Sequence, residues 1–445
     1  AMYFKTRAWK TRKIQKRLLK LKEFFDQGDL VSVLTTQPIH RFLDYKAPEG
    51  GCLHGAFVEV PLGPRKVIGV VWGQGRGDFD NNKTRFVLRV LEVPALREEL
   101  KTFLEKASDY TLTPLSSMLR LATRAPGLGD PPSMRVVYQL AEDPVVKLTD
   151  ARLRVLDLIK DYGGAPLTLG ELAELASVSS SVVKGLAKIG ALVEIQTPKD
   201  TPFTRLDPSQ VGKTLTRAQS HAREILMTQM ESPAFNTTLL RGVTGSGKTE
   251  VYMEAIAHCL AAGQQALVLL PEIALTSEFL SRVEERFGGH PAEWHSGITV
   301  TERRRTWKMV AQGGVQLLVG ARSALFLPFR SLGLIVVDEE HDSSYKQEDG
   351  VLYNARDMAV LRASIAGAKI ILSSATPSLE SWSNAQNGKY AKIELTERVG
   401  LAQMPRLRVI DMRAQTMPAN QWISPVLRDE ISMRISKGEQ SLLFL

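Results

Sequence analysis

The chain has 445 residues, 57 Lys and Arg against 48 Asp and Glu, and a formal net charge of +9. That length holds roughly two to four domains, its 44% hydrophobic and 24% charged content is that of a soluble globular protein, and the positive balance favours a polyanionic partner. No apolar run approaches a membrane span, no apolar signal core follows the basic N-terminus, and Cys52 and Cys259 alone exclude a disulfide framework or a Cys-rich metal site.

Residues 1–30 hold most of the charge asymmetry. Basic residues from Lys5 to Lys22 precede the first acid, Glu23, and Ile14, Leu18, Leu21 and Phe25 recur at helical spacing. This predicts a basic amphipathic helical extension that grips DNA phosphates or an acidic partner, or else stays solvated. Residues 31–130 change character. Val31–Leu34, Ala56–Val60, Lys66–Trp72 and Arg85–Leu91 are short β-branched runs separated by Pro- and Gly-bearing turns, which predicts a small antiparallel sheet or barrel. Arg41–Tyr45 reads as an extended segment, and Asp44 within it as a recognition carboxylate or a surface turn acid. Leu96–Ala107 and Leu115–Ala122 read as helices, and Ala125–Pro132 as a linker.

Residues 148–200 form a compact pattern. Ala151–Tyr162 is an amphipathic helix, Thr168–Glu171 fits a capping box opening a second helix, Ser180–Lys188 is a third, and Leu192–Gln196 a strand. This is a winged-helix order. Its third helix offers only Lys184 and Lys188, which favours packing or fork binding over base readout. A second linker, 198–213, carries three X-Pro steps. Residues 210–405 then alternate strands and helices, the α/β pattern of a parallel sheet with helices on both faces.

Gly242–Thr249 matches the P-loop template G-x-x-x-x-G-K-[ST]. Gly242, Val243, Thr244, Gly245, Ser246 and Gly247 supply a backbone that can wrap a phosphate chain, Lys248 reaches the β- and γ-phosphates, and the Thr249 hydroxyl ligates Mg²⁺. Thr237–Leu240 reads as the strand before it and Glu250–Leu260 as the helix after it. Leu334–Val337 is a second buried strand ending in Asp338-Glu339-Glu340-His341. Asp338 is assigned to the metal and Glu339 to activating the attacking water. Ser373–Pro377 follows the strand Lys369–Leu372, and small hydroxyl residues there either link the nucleotide site to a DNA surface or cap the next helix. Thr276, Arg322 and Ser323 follow further strands, where open α/β sheets place ligands, and suit phosphate contacts without base selectivity. Gln219, upstream of the P-loop, reads an adenine edge or is a surface residue.

Together these motifs resemble the first motor lobe of a superfamily 2 helicase. The runs 242–252, 271–276, 320–329, 338–347, 353–357 and 374–380, with Arg41–Tyr45 and Val60–Gly63, resemble the PriA (primosomal protein N′) family of bacterial replication-restart helicases over roughly residues 31–445. The resemblance implies a cytoplasmic, ATP- and Mg²⁺-dependent 3′-to-5′ DNA helicase with a RecA-like lobe. Its partners would be forked or single-stranded DNA, primosome proteins and single-stranded DNA-binding protein, with no membrane. It implies a pocket for a DNA 3′ end at Leu43, Asp44, Gly63 and Arg85, where Leu43 stands in place of the family's usual aromatic residue. Asp44 would accept a hydrogen bond from the 3′-hydroxyl. It also implies a DNA-coupled loop at 342–357, with Tyr345, Lys346, Tyr353 and Arg356 on DNA, and His341, Ser374 and Thr376 coupling DNA to hydrolysis. Val351 or Leu352 stands where the family often has a Trp. The family continues into a zinc module and a second motor lobe. This chain has no Cys cluster to hold zinc, and residues 406–445 read as a connector and, in the apolar run 440–445, the strand-like start of that lobe, so it is expected to be a truncated form. The alternatives are a nucleotide-binding fork-recognition module without unwinding activity, or another superfamily 2 translocase.

Overall fold

The computed structural model describes residues 23–77, 80, 83–130, 134–141, 149–162, 166–198, 200–271, 277–399, 407–414 and 422–444. Most of the basic extension and all of residues 272–276, including Thr276, lie outside them. The chain divides into a unit of residues 1–397 and a second of 398–445.

The first unit opens with β1 (Phe24–Phe25), β2 (Leu30–Thr35), β3 (Leu43–Lys46), β4 (Cys52–Leu53), β5 (Phe57–Leu62), β6 (Arg65–Gln74) and β7 (Arg89–Val90). Five of these form an antiparallel sheet in the order β3-β2-β6-β5-β7, and β1 pairs with β4. Inward Val31, Val33, Val58, Val60 and Val71 are buried, as alternation in β-branched strands requires. The run 85–91 makes only a two-residue strand and an isolated bridge at Phe86. Helices α1 (Glu98–Thr111) and α2 (Leu115–Ala122) follow.

Strand β8 (Met134–Leu140), α3 (Asp150–Asp161), β9 (Leu167–Thr168), α4 (Leu169–Leu175), α5 (Ser180–Lys188) and β10 (Leu192–Pro198) make three helices on a three-stranded sheet of order β10-β8-β9. The capping box forms: Glu171 Oε2 accepts from Thr168 N at 2.7 Å and Thr168 Oγ1 accepts from Glu171 N at 3.3 Å. Strand β8 has no sequence forecast, because Met134-Arg-Val-Val-Tyr-Gln-Leu140 needs a partner more than fifty residues on, with Leu140 opposite Leu192.

The lobe comprises α6 (Arg217–Glu231), β11 (Thr237–Gly242), α7 (Lys248–Ala261), β12 (Gln265–Leu269), α8 (Ser277–Phe287), β13 (Ala292–Trp294), α9 (Val300–Gln312), β14 (Leu317–Gly320), β15 (Leu332–Val337), β16 (Lys346–Gln347), β17 (Tyr353–Asn354), α10 (Ala355–Ala366), β18 (Lys369–Ser374), α11 (Leu379–Gln386) and β19 (Ala391–Leu395). Seven of its strands form a parallel sheet in the order β13-β14-β12-β15-β18-β11-β19. The carboxyl ends of β15, β18 and β11 are therefore neighbours, and each ends in a run singled out by sequence.

The stretch 125–130 does not separate two bodies. One apolar core joins Phe57, Leu100, Phe103 and Met118 of the first domain to Trp307, Phe326 and Met358 of the lobe. Phe57 meets Trp307 edge-on at 5.4 Å between centroids, and the buried Arg362 guanidinium lies over Phe103 and Phe329. Burying that area leaves little to gain from separation.

Within the second unit, α12 (Pro425–Ser436) starts with Pro425 in its first turn and Ser424 Oγ accepting from Leu427 N at 3.2 Å. The apolar run expected as a strand at 440–445 is not one across the described residues 440–444. A lone strand leaves its ladder unpaired.

Candidate functional site

The P-loop backbone is built by conformation. Gly245 and Gly247 sit at φ of 78° and 77°, where only glycine is unstrained. A Cβ on Gly242 would stand 2.4 Å from Ser246 Oγ and 2.8 Å from Lys248 Cγ. α7 begins at Lys248, so its N-terminal N–H groups face the loop. Lys248 Nζ donates to Gly242 O at 3.0 Å and stands 3.8 Å from Glu339 Oε1. The Ser246 hydroxyl is buried without a partner among the described residues, an unmet polar atom inside the cradle.

Asp338 leaves β15 beside this loop. Tyr252 OH donates to its Oδ2 at 2.9 Å, and the Thr249 side chain bonds the same phenol. Burial first, then the Asp338 charge, push the Tyr252 phenol well up, so it stays a donor. Asp338 and Thr249, both bonded to the Tyr252 phenol, offer two hard oxygens of the kind that would hold a Mg²⁺ carrying phosphates and water. The donor set, the glycine backbone and the unmet Ser246 hydroxyl fit a Mg²⁺-bound phosphate chain.

Glu339 sits at φ 44°, a left-handed conformation that costs about 1 kcal/mol or more and aims its carboxylate at the cradle. Burial raises its carboxyl above the usual range. Lys248 opposes that shift, Asp338 adds to it and His341 opposes it. His341 Nδ1 meets Ser374 Oγ at 2.8 Å and stands 3.6 Å from Glu339 Oε2, and Thr376 N donates to Ser374 Oγ at 3.0 Å. The three residues expected to couple sites therefore form one connected chain from the 373–377 loop to Glu339.

The residues expected at a DNA 3′ end also meet. Leu43, Asp44, Gly63 and Arg85 line one cleft of ≈ 830 Å³, with Arg41, Arg76 and Lys83. Asp44 belongs to β3, opposite Ser32, not to a turn. Its Oδ2 accepts from the N–H groups of Arg76 and Gly77 at 2.9 and 2.8 Å, and Arg85 Nη1 donates to Gly63 O at 3.3 Å.

Other placements differ from expectation. Gln219 is buried: Oε1 accepts from Thr216 N at 2.9 Å and Nε2 donates to Ser246 O at 2.9 Å. Its amide braces the P-loop, so it is not a surface residue. Tyr345 is buried, its OH donating to Leu269 O and Asp338 O at 2.9 and 2.6 Å. Tyr353 packs edge-on against Phe326. Neither ring is a platform for stacking, because both complete the apolar core. Arg356 is buried too, donating to Ser378 Oγ at 2.6 Å and pairing with Glu340 and Asp357. Of that loop, Lys346 alone of the four named residues is exposed; Arg322 Nη1 donates to its carbonyl and to that of Ser344. Ser323 Oγ accepts from Trp294 Nε1 at 3.2 Å.

Sequence reasoning missed Tyr252 and Glu340. Tyr252 stands one turn beyond Thr249 on α7, and that spacing was a signal. Glu340, 2% exposed, accepts from Ser378 N, Ser378 Oγ and Ser381 Oγ at 2.7, 3.0 and 2.9 Å. Nothing in a run of three acids distinguishes the one that turns inward.

Residues 216–384 match the family model of DEAD/DEAH box helicases, and residues 32–124 match that of a 3′DNA-binding domain. The chain is 32% identical to the replication restart protein PriA of Bacillus subtilis, over 94% of this chain and 62% of that one. It is 40% identical to the PriA of Rickettsia felis, over 61% and 41%, and 34% identical to that of Chlamydia pneumoniae, over 93% and 57%. The matches thus span between 41% and 62% of these relatives' lengths. Among the described residues no helix is long and apolar enough to cross a membrane.

Proposed function

The chain belongs to the PriA family of replication restart proteins, and we propose that it carries the fork-recognising and ATP-binding machinery of a 3′-to-5′ DNA helicase that starts primosome assembly at stalled forks. The observation that carries this reading is that one unit holds both the Lys248–Glu339–Asp338 cradle and the cleft around Asp44. ATP and Mg²⁺ would be held by the P-loop amides, Lys248, Thr249 and Asp338. The ATP supplies the phosphoryl group transferred to water. Glu339, with its raised affinity for a proton, would take the proton that the attacking water gives up, and Lys248 would hold the phosphates in line. His341, Ser374 and Thr376 would carry the nucleotide state towards DNA. Asp44 would accept from a 3′-hydroxyl, with Arg85 turned to the last phosphate. Residues 134–198 would act as a winged helix packing on the fork through Lys184 and Lys188. Primosome proteins and single-stranded DNA-binding protein are the partners this reading implies.

The test is ATP hydrolysis stimulated by forked DNA, measured for Lys248→Ala and Glu339→Gln, together with binding of forks with a free or a phosphate-blocked 3′ end to Asp44→Asn. Both ATP-site variants should lose turnover, and Asp44→Asn should lose the preference for the free end. Turnover surviving in both ATP-site variants would overturn the motor assignment.

A further inference from the structure

We infer that the cleft between α2 and the motor lobe is a phosphate track for a single nucleic-acid strand, running from Arg322 and Ser323 past Arg303, Arg120 and Arg124 towards the cleft at Asp44. Only its far end rests on the reading of Asp44 as a 3′-end site.

Two of the hollows share a wall, and the third follows them in the chain. The largest, ≈ 1110 Å³, is lined by Arg322, Ser323, Arg303, Arg120 and Arg124. A second of ≈ 450 Å³ shares Arg120 and Arg124 and adds Thr36, Gln37 and Pro38. The cleft at Asp44 begins two residues later, at His40. The first hollow exceeds the roughly 300–1,000 Å³ of small-molecule sites, as expected for a chain that passes through.

Its charge is unanswered. Among the described residues, none of these four arginines has an ion-pair partner. Carbonyl groups orient two of them: Arg322 on Ser344 and Lys346, and Arg303 on His295 at 2.8 Å while it lies over Trp294 at 5.1 Å. Carbonyls aim a guanidinium without neutralising it. Asp349 is the carboxylate that lines the cleft. Arg124 is near enough to Arg303 to weaken its hold on a proton, after burial. Like charges gathered at a cleft poor in acids attract a polyanion. Leu112, at φ 53° and 92% exposed, offers an apolar face to sugars and bases.

The walls are joined, so the cleft is built and not a gap between drifting domains. Trp307 on α9 donates to Ala122 O of α2 at 2.7 Å.

Arg120 and Arg124 are exposed and away from the nucleotide cradle, so Arg120→Ala/Arg124→Ala tests the track. Fluorescence anisotropy would follow a labelled oligothymidylate of about 20 nucleotides and one of about 4, both with free 3′-hydroxyls, over a salt series. The long strand should weaken about tenfold, and its salt slope should flatten by about 1.4, at about 0.7 for each phosphate that is no longer neutralised. The short strand should be unchanged, and Arg120→Lys/Arg124→Lys should keep the slope. Photo-crosslinking of a 4-thiothymidine strand to the unaltered protein should label residues 115–124 and 300–312, a readout independent of any variant's folding. An unchanged long-strand slope, or crosslinks confined elsewhere, overturns the track. Asp44→Asn separates the two readings: loss of end preference with no slope change in Arg120→Ala/Arg124→Ala keeps the end site and ends the track, and the reverse keeps the track alone.

Discussion

The indole of Trp307 donates to the carbonyl of Ala122 at 2.7 Å, with both residues fully buried. One bond thereby ties the last turn of a helix from the β-rich domain to the lobe that carries the P-loop. A carbonyl at a helix end needs such a partner once water is excluded. The cleft at Asp44 and the nucleotide cradle consequently sit within one unit.

Trp307→Ala should lower stability by about 3–5 kcal/mol through lost packing. Trp307→Phe should cost about 1–3 kcal/mol, since it keeps the ring but leaves Ala122 O unpaired. Chemical denaturation followed by tryptophan fluorescence and circular dichroism checks both. A near-neutral Phe variant would show that water replaces the indole.

Tyr252→Phe removes the hydroxyl that fixes Asp338. Partners behind a metal ligand are typically worth about 10–100-fold in metal affinity. The Mg²⁺ concentration for half-maximal ATP hydrolysis should rise about tenfold, with little change in melting temperature. An unchanged Mg²⁺ titration would remove Tyr252 from the metal site.

The raised Glu339 carboxyl has a defined pH consequence. The folded chain holds this proton more tightly than the unfolded chain, so the contribution to stability is present below the unfolded value of about 4.5 and is lost as pH rises through the folded one. At neutral pH the ionised side chain therefore works against folding. Glu339→Gln should melt higher than the parent at pH 7, and the gap should close as pH falls below the usual carboxylate range. The same variant should bind nucleotide without hydrolysing it. A gap that widens on acidification contradicts the raised pKa.

Arg356→Ala leaves Glu340 as a buried carboxylate without its cation, and breaking such a pair typically costs about 3–5 kcal/mol. Its DNA affinity per folded molecule should stay at the parent value, because the guanidinium faces Glu340 and Ser378. Loss of DNA affinity at full stability would restore Arg356 to the DNA surface.

Local chemistry was legible in the chain alone. Gly242–Thr249 and Asp338–Glu339 are dictated by short-range needs: glycine where φ turns positive, an apolar strand ahead of each loop, a lysine and a hydroxyl at fixed steps. The capping box at Thr168 and Glu171 is equally local. The meeting of Leu43, Asp44, Gly63 and Arg85 in one cleft came with the family resemblance, since strands β3, β5 and β6 are placed by a register that no short window shows. What only the tertiary structure decided is which polar and aromatic groups face inward. Tyr345, Tyr353, Arg356 and Gln219 look like surface chemistry in sequence, yet each is buried. Distant carbonyls, carboxylates or the P-loop hold the polar atoms of three of them, and the Tyr353 ring packs edge-on against Phe326. The alignment of four arginines from three separate segments was likewise invisible, because charge in sequence has no direction until packing closes the walls around it.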